Sequence, residues 1–264
     1  SCVLGAITAT IAGAIVSIPS MPSWAWRIPF LFGALVSLIG YYLRRRCLES
    51  PEYAASQAFI KNQPLMTVFK ESKKALLVNI VAGGMNGALS YTLFAFLNIY
   101  LSRYVNLPLE KGLFLNIYGL AAFMSLCPLF GGLSDKLTPR YSILLALILV
   151  LTLSPLSFAL LQSSEGFALV LGQLILGTLV ASFVGPNHAF MQTLFPPKTR
   201  YTGIAMGFCI GMAITGGTTP MLLTYLIDTT HNLYMPAFLL MSYAVFSGIV
   251  ILTTKQSYGE HPHK

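Results

Sequence analysis

The chain has 264 residues, of which 55% are hydrophobic and only 9% charged. Soluble proteins carry about 25% charged residues, so a water-soluble body is excluded: there is too little polar surface to cover one. The net charge of +8 raises nucleic acid as a partner, but the sixteen Lys and Arg sit in short gaps between apolar runs, not on a basic face interleaved with aromatics. Membrane topology explains such a distribution.

A spanning helix needs about 20 mostly apolar residues. Eight segments qualify in chain order: 1–18, 28–43, 75–101, 113–131, 142–161, 167–194, 203–227 and 236–254. The expected fold is therefore all-α, a polytopic bundle of about eight transmembrane helices. The first two segments are short. The first begins at Ser1 inside an apolar run, without the basic leader of a signal peptide, and the expectation is that upstream sequence is missing.

The gaps alternate in charge. Gaps 44–74, 132–141, 195–202 and the tail after 254 hold thirteen Lys/Arg, whereas the intervening gaps hold Arg27, Arg103 and Lys111. Basic residues accumulate on the cytoplasmic side, which places the C-terminus in the cytoplasm. The one long hydrophilic stretch, 44–74, opens with Arg44, Arg45 and Arg46 and separates two spans (1–43) from six (75–264). Within it Ser50-Pro51-Glu52 reads as an N-cap, a proline at N1 and an acid in the first turn of a short helix. Gln63-Pro64 reads as a second start. The four cysteines, Cys2, Cys47, Cys127 and Cys209, are widely spaced and form no disulfide framework.

The third span carries Asn79, Gly83, Asn86 and Ser90 within roughly 60° of one another around a helix. A polar stripe in lipid faces protein or a water-filled path. Tyr91 and Phe94 add aromatic surface suited to a quaternary ammonium. The sixth span carries Gly177, Ala181, Gly185, His188 and Gln192 along one face, with Asn187 nearby. His188 is the only histidine within a span; it is read as a hydrogen-bonded packing residue or as a proton relay. In the seventh span Gly203, Gly207 and Gly211 fall four apart, followed by Gly216-Gly217. Glycine costs about 1 kcal/mol per helix-interior position relative to alanine, and in lipid it is offset where helices approach closely. The stripe serves static packing, a sliding surface for alternating access, or both. Asp135, between the fourth and fifth spans, has two readings: a solvated loop acid, or a cap for the positive N-terminus of a nearby helix such as the seventh span, with Arg140 or Arg200 as pairing partners.

No enzyme motif occurs. HExxH, GxSxG, Walker and GxGxxG patterns are absent, and all eight acids lie in gaps or the tail. The histidines form no metal-ligand constellation. No catalytic residue, metal or cofactor is expected.

Four stretches resemble a known family. WAWRIPFLFGALVSLIGYYLRRRCLESPEY (24–53) resembles the sixth span and following loop of the metabolite:proton symporters, a branch of the major facilitator superfamily. GGLSDKLTPR (131–140) is similar to the superfamily's loop motif, with Thr138 and Pro139 at positions usually held by glycine and a basic residue. FPPKTRYTG (195–203) resembles the branch's Phe-Pro-x-x-x-Arg-Tyr-x-Gly. HNLYMPAFLLMSYAV (231–245) resembles the start of the last span in bacterial proline/betaine transporters. The resemblance implies a twelve-span fold in two halves, with this chain matching spans five to twelve: an incomplete major facilitator fold. It also implies a contact of Asp135 near the seventh span when the cytoplasmic side is closed, and a cavity lined by the third span. The function implied is proton-coupled transport of a small organic solute across the inner membrane, proline or betaine first and a carboxylate metabolite second. Partners are then the solute, protons and the lipid bilayer. The alternative is a non-transporting remnant of a truncated transporter gene.

Overall fold

The computed structural model describes residues 2–16, 22, 24, 27–46, 64–163, 165–196 and 199–254. Their secondary structure is helical throughout, in nine helices: α1 (Cys2–Val16), α2 (Ile28–Arg46), α3 (Pro64–Glu71), α4 (Lys73–Arg103), α5 (Leu109–Lys136), α6 (Pro139–Leu160), α7 (Gly166–Leu194), α8 (Arg200–Thr230) and α9 (Met235–Thr253). Six of these, α4 to α9, are long and apolar enough to cross a membrane; α1 and α2 carry shorter apolar stretches. The eight expected spans thus coincide with helices, but only six reach full membrane length. The helix expected at Ser50-Pro51-Glu52 lies outside the described residues, as does Cys47. The start expected at Gln63-Pro64 coincides with α3.

Local chemistry sets the helix ends. Pro139 opens α6 at its first position, where a missing N–H is harmless. The turn between α4 and α5 passes through Asn106 at φ 58°, a left-handed conformation that asparagine tolerates better than most residues. His231 ends α8 in the same region (φ 52°), its N–H donating to the Ile227 carbonyl at 2.8 Å. That αL residue satisfies a carbonyl that the helix end leaves open.

Helices α4 and α7 are the most buried spans. α7 packs against α4, α5, α6 and α8, and α4 packs against α7, α8 and α9. α1 lies on α5, while α2 packs only lightly, against α1. The side chains of α2 are accordingly exposed around its circumference, among them Phe30, Leu31, Val36 and Leu38. At one end of the bundle Tyr100 is fully buried, edge-on to Phe158 of α6 (centroids 5.4 Å apart). Its hydroxyl donates to the Leu233 carbonyl at 3.1 Å, tying α4 to the turn before α9.

Two spans change pitch. Thr92–Phe96 in α4 and Met212–Gly216 in α8 each form a π turn. Such one-turn bulges rotate the residues that follow and occur often at functional sites.

Candidate functional site

The site begins where α4 and α8 meet through glycines on both helices. Gly83 faces the Phe208 backbone: a methyl on it lies 2.9 Å from Phe208 Cα. A methyl on Gly87 lies 2.9 Å from Gly216 Cα, within the α8 π turn. From the other side, a methyl on Gly211 runs into the Ile80 carbonyl and lies 2.9 Å from the Gly83 carbonyl carbon. Gly207 has the Asn79 side-chain amide in the same position. Only hydrogen fits at these places, so the two backbones approach as closely as helices can. Gly203 is filled differently. Its neighbour is the ring of Phe195, which is fully buried. Phe195 therefore lies back over the first turn of α8, and Arg200 Nε donates to the Phe195 carbonyl at 3.3 Å.

Polar side chains join this seam. Asn79 is fully buried, and its Nδ2 donates to the carbonyls of Gly203 (2.9 Å) and Ile204 (3.0 Å). Asn86 lies two turns further along α4. Its Oδ1 accepts from Asn187 Nδ2 of α7 at 3.3 Å, and its Nδ2 faces Met212 Sδ of α8 at 3.6 Å. Three helices thus meet at one pair of amides. Ser90, one turn beyond Asn86, is also buried, while Tyr91 beside it is 38% exposed. The α4 stripe faces protein here, through interhelical hydrogen bonds and close packing.

The α7 residues do not share one surface. Gly177 faces the Gly119 carbonyl and Gly185 the Cys127 carbonyl, both on α5. His188 instead is exposed, its ring 5.7 Å from that of Phe208 on α8. Gln192 is exposed one turn beyond.

Nor are Asp135, Arg140 and Arg200 paired with one another among the described residues. Asp135 is exposed and forms no ion pair or hydrogen bond among the described residues. Arg140 Nη2 donates to the carbonyls of Ile251 (3.0 Å) and Leu252 (3.3 Å). It therefore occupies the negative C-terminal end of α9, a favourable place for a cation.

Sequence reading missed one buried polar group. Asn116 of α5 donates through Nδ2 to Asn98 Oδ1 at 3.4 Å. Gln173 of α7 is fully buried, and its Oε1 lies 2.9 Å from a methyl placed on Gly119, one turn from Asn116. Asn116 Oδ1 and both Gln173 amide atoms have no hydrogen-bond partner among the described residues. The signal was one amide from each of three apolar runs, Asn98, Asn116 and Gln173, which spells out no shared face within any one helix. No group of three or more His, Cys, Asp or Glu that could hold a metal occurs among the described residues.

Six apolar spans, buried amides instead of charges, and backbone-to-backbone glycine contacts define a multi-pass helical membrane protein. Its family follows from comparison. The Major Facilitator Superfamily profile matches residues 2–216, and the chain belongs to that superfamily, whose members of this kind are transporters and not enzymes. It is 31% identical over 253 residues to a Staphylococcus haemolyticus protein named "Putative proline/betaine transporter", covering 94% of this chain and 54% of that protein. It is 28% identical over 267 residues to the proline/betaine transporter of Escherichia coli, covering 97% of this chain and 53% of the relative. The chain spans about half the length of the curated relatives it matches.

Proposed function

We propose that the chain is part of a proton-coupled secondary transporter that carries a small organic solute, proline or betaine first, across the inner membrane. In this reading residues 1–43 are the last two helices of an N-terminal half, 44–74 a cytoplasmic linker, and 75–264 the C-terminal six-helix bundle, with the C-terminus in the cytoplasm. The observation that carries the proposal is the extent of similarity: relatives named as proline/betaine transporters align along nearly the whole chain. The α4–α8 seam supports it physically. Glycine lets the two backbones approach closely along the seam, and the paired π turns allow a local change of pitch.

Tyr91, His188 and Gln192 are exposed and belong to the solute path in this reading. Asn79, Asn86 and Ser90 set the helix positions behind it. His188 is the proton-carrying candidate, since no acid lies well inside a span. Asp135, without an ion-pair partner among the described residues, is the group that engages the start of α8 when the cytoplasmic side closes. The test is uptake of labelled proline and betaine into liposomes with an inward proton gradient. It uses the chain co-expressed with the four preceding spans of the Staphylococcus haemolyticus relative. Uptake that collapses with a protonophore supports the proposal; absence of uptake for both solutes, with the two pieces assembled, rejects it.

A further inference from the structure

Arg103 and Asp228 form the one ion pair among the described residues, Nη2 to Oδ2 at 2.9 Å, at the ends of α4 and α8. The Tyr104 hydroxyl donates to the other carboxylate oxygen at 2.8 Å. The charge distribution of the gaps places this end on the outer side. The pair is solvent-accessible, with 55% and 41% of the two side chains exposed. Beside it lies a wide-open, shallow cleft of ≈ 430 Å³, lined by Pro220, Met221, Thr224, Tyr225 and Asp228 of α8 and by Ile99 of α4.

The cleft has a distinct chemistry. Arg103 uses one of its five N–H donors on Asp228; its side chain is half exposed, with the guanidinium carbon 5.5 Å from the Tyr104 ring centroid. Tyr225, one turn before Asp228, presents an exposed ring. A cation and an anion held side by side nearly cancel for a ligand of single charge. For a ligand that carries both charges a few ångströms apart, the two attractions add. An exposed pair contributes about 0–1 kcal/mol to stability, so folding alone gives little reason to place both charges beside an open cleft.

We propose that this cleft is an outer capture site for small zwitterions bearing an ammonium and a carboxylate. The carboxylate lies on the remaining N–H groups of Arg103, and the ammonium lies over the Tyr225 ring beside Asp228. The assignment rests on the transport reading for its solute class, and it places a second station on the solute's route, ahead of the bundle interior.

The experiment is a saturation-transfer NMR titration of the chain in lipid nanodiscs. The probes are glycine betaine, choline as the cation alone and acetate as the anion alone. Glycine betaine is expected to bind, with choline and acetate at least about tenfold weaker. Arg103→Gln and Tyr225→Leu are each expected to weaken glycine betaine roughly five- to tenfold, the scale of one charge-assisted hydrogen bond or one cation–π contact. Tyr225→Leu leaves the ion pair intact, and an unchanged unfolding temperature shows that its effect is not misfolding. The site is overturned if glycine betaine fails to bind, if both variants bind it like the wild type, or if choline binds equally well. Uptake by the assembled transporter is measured in parallel. Uptake without cleft binding rejects the capture site alone; cleft binding without uptake rejects the transport reading and leaves the site.

Discussion

Replacing Gly211 by alanine tests the α4–α8 seam most directly. The added methyl runs into the Ile80 carbonyl and sits 2.5 Å from the Gly84 nitrogen, whereas ordinary contacts begin near 3.4 Å. These are backbone atoms, so no rotamer change relieves the overlap, and the helices must part by about 1 Å. The Asn79 bonds to Gly203 and Ile204, now 2.9 and 3.0 Å, then pass beyond hydrogen-bonding range. Overpacking costs about 1–3 kcal/mol and two interhelical hydrogen bonds about 0.6 kcal/mol each, together roughly 2–4 kcal/mol. Against this, alanine recovers at most about 1 kcal/mol of helix propensity. Gly217 is the matched control. It lies in the same helix with helical dihedrals, and a methyl there meets nothing within 4 Å, so Gly217→Ala is neutral or slightly stabilising. Unfolding free energies from denaturant titration in detergent should separate the two variants by about 2–4 kcal/mol. Equal stabilities would refute the reasoning, because the seam would then not depend on the absence of a side chain.

Gly207→Leu should lower folded yield far more than Ala205→Leu, since Gly207 abuts Asn79 and Ala205 is exposed; comparable monodisperse yields would count against the seam. Arg140→Ala should speed hydrogen exchange in the last turn of α9, with a loss of about 1 kcal/mol, because two carbonyls lose their donor; unchanged exchange at residues 250–254 would contradict this. Tyr104 is held above its ordinary phenol range, first by desolvation and then by its hydrogen bond to Asp228. Its neutral form is thus favoured by folding, and that contribution is present below pH 10 and lost as pH rises through the folded pKa; the difference titration of wild type against Tyr104→Phe should show one phenol ionising later than free tyrosine. The 264 residues alone should not accumulate proline or betaine against a gradient, because His188 is the single candidate proton carrier in the spans; protonophore-sensitive uptake by the purified chain would overturn this, and its loss in His188→Ala would assign the proton to that histidine. Cys47 should react with impermeant thiol reagents only when the cytoplasmic face is open, and labelling in intact cells would reverse the orientation.

The sequence by itself determined the elements. Apolar length marks α4 to α9, because lipid forces each backbone to satisfy its hydrogen bonds within its own helix. The basic and polar gaps between the apolar runs mark the breaks, and the spacing of Gly203, Gly207 and Gly211 already defines a face. Such features belong to one helix and are legible from its own residues. The tertiary structure alone decided which faces meet. Nothing local distinguishes Asn86, which reaches Asn187 and Met212, from Asn116, which reaches Asn98. Likewise Arg140 has a partner on α9 that lies 111 residues away, while Asp135, five residues before it, has none among the described residues. Gly177, Gly185 and His188 read as one surface until α5 claims the glycines and leaves the histidine beside Phe208. In a bundle whose surfaces are nearly all apolar, the rotation of each helix is fixed by fit against its neighbours, and fit is a property of pairs of helices that no single run of residues contains.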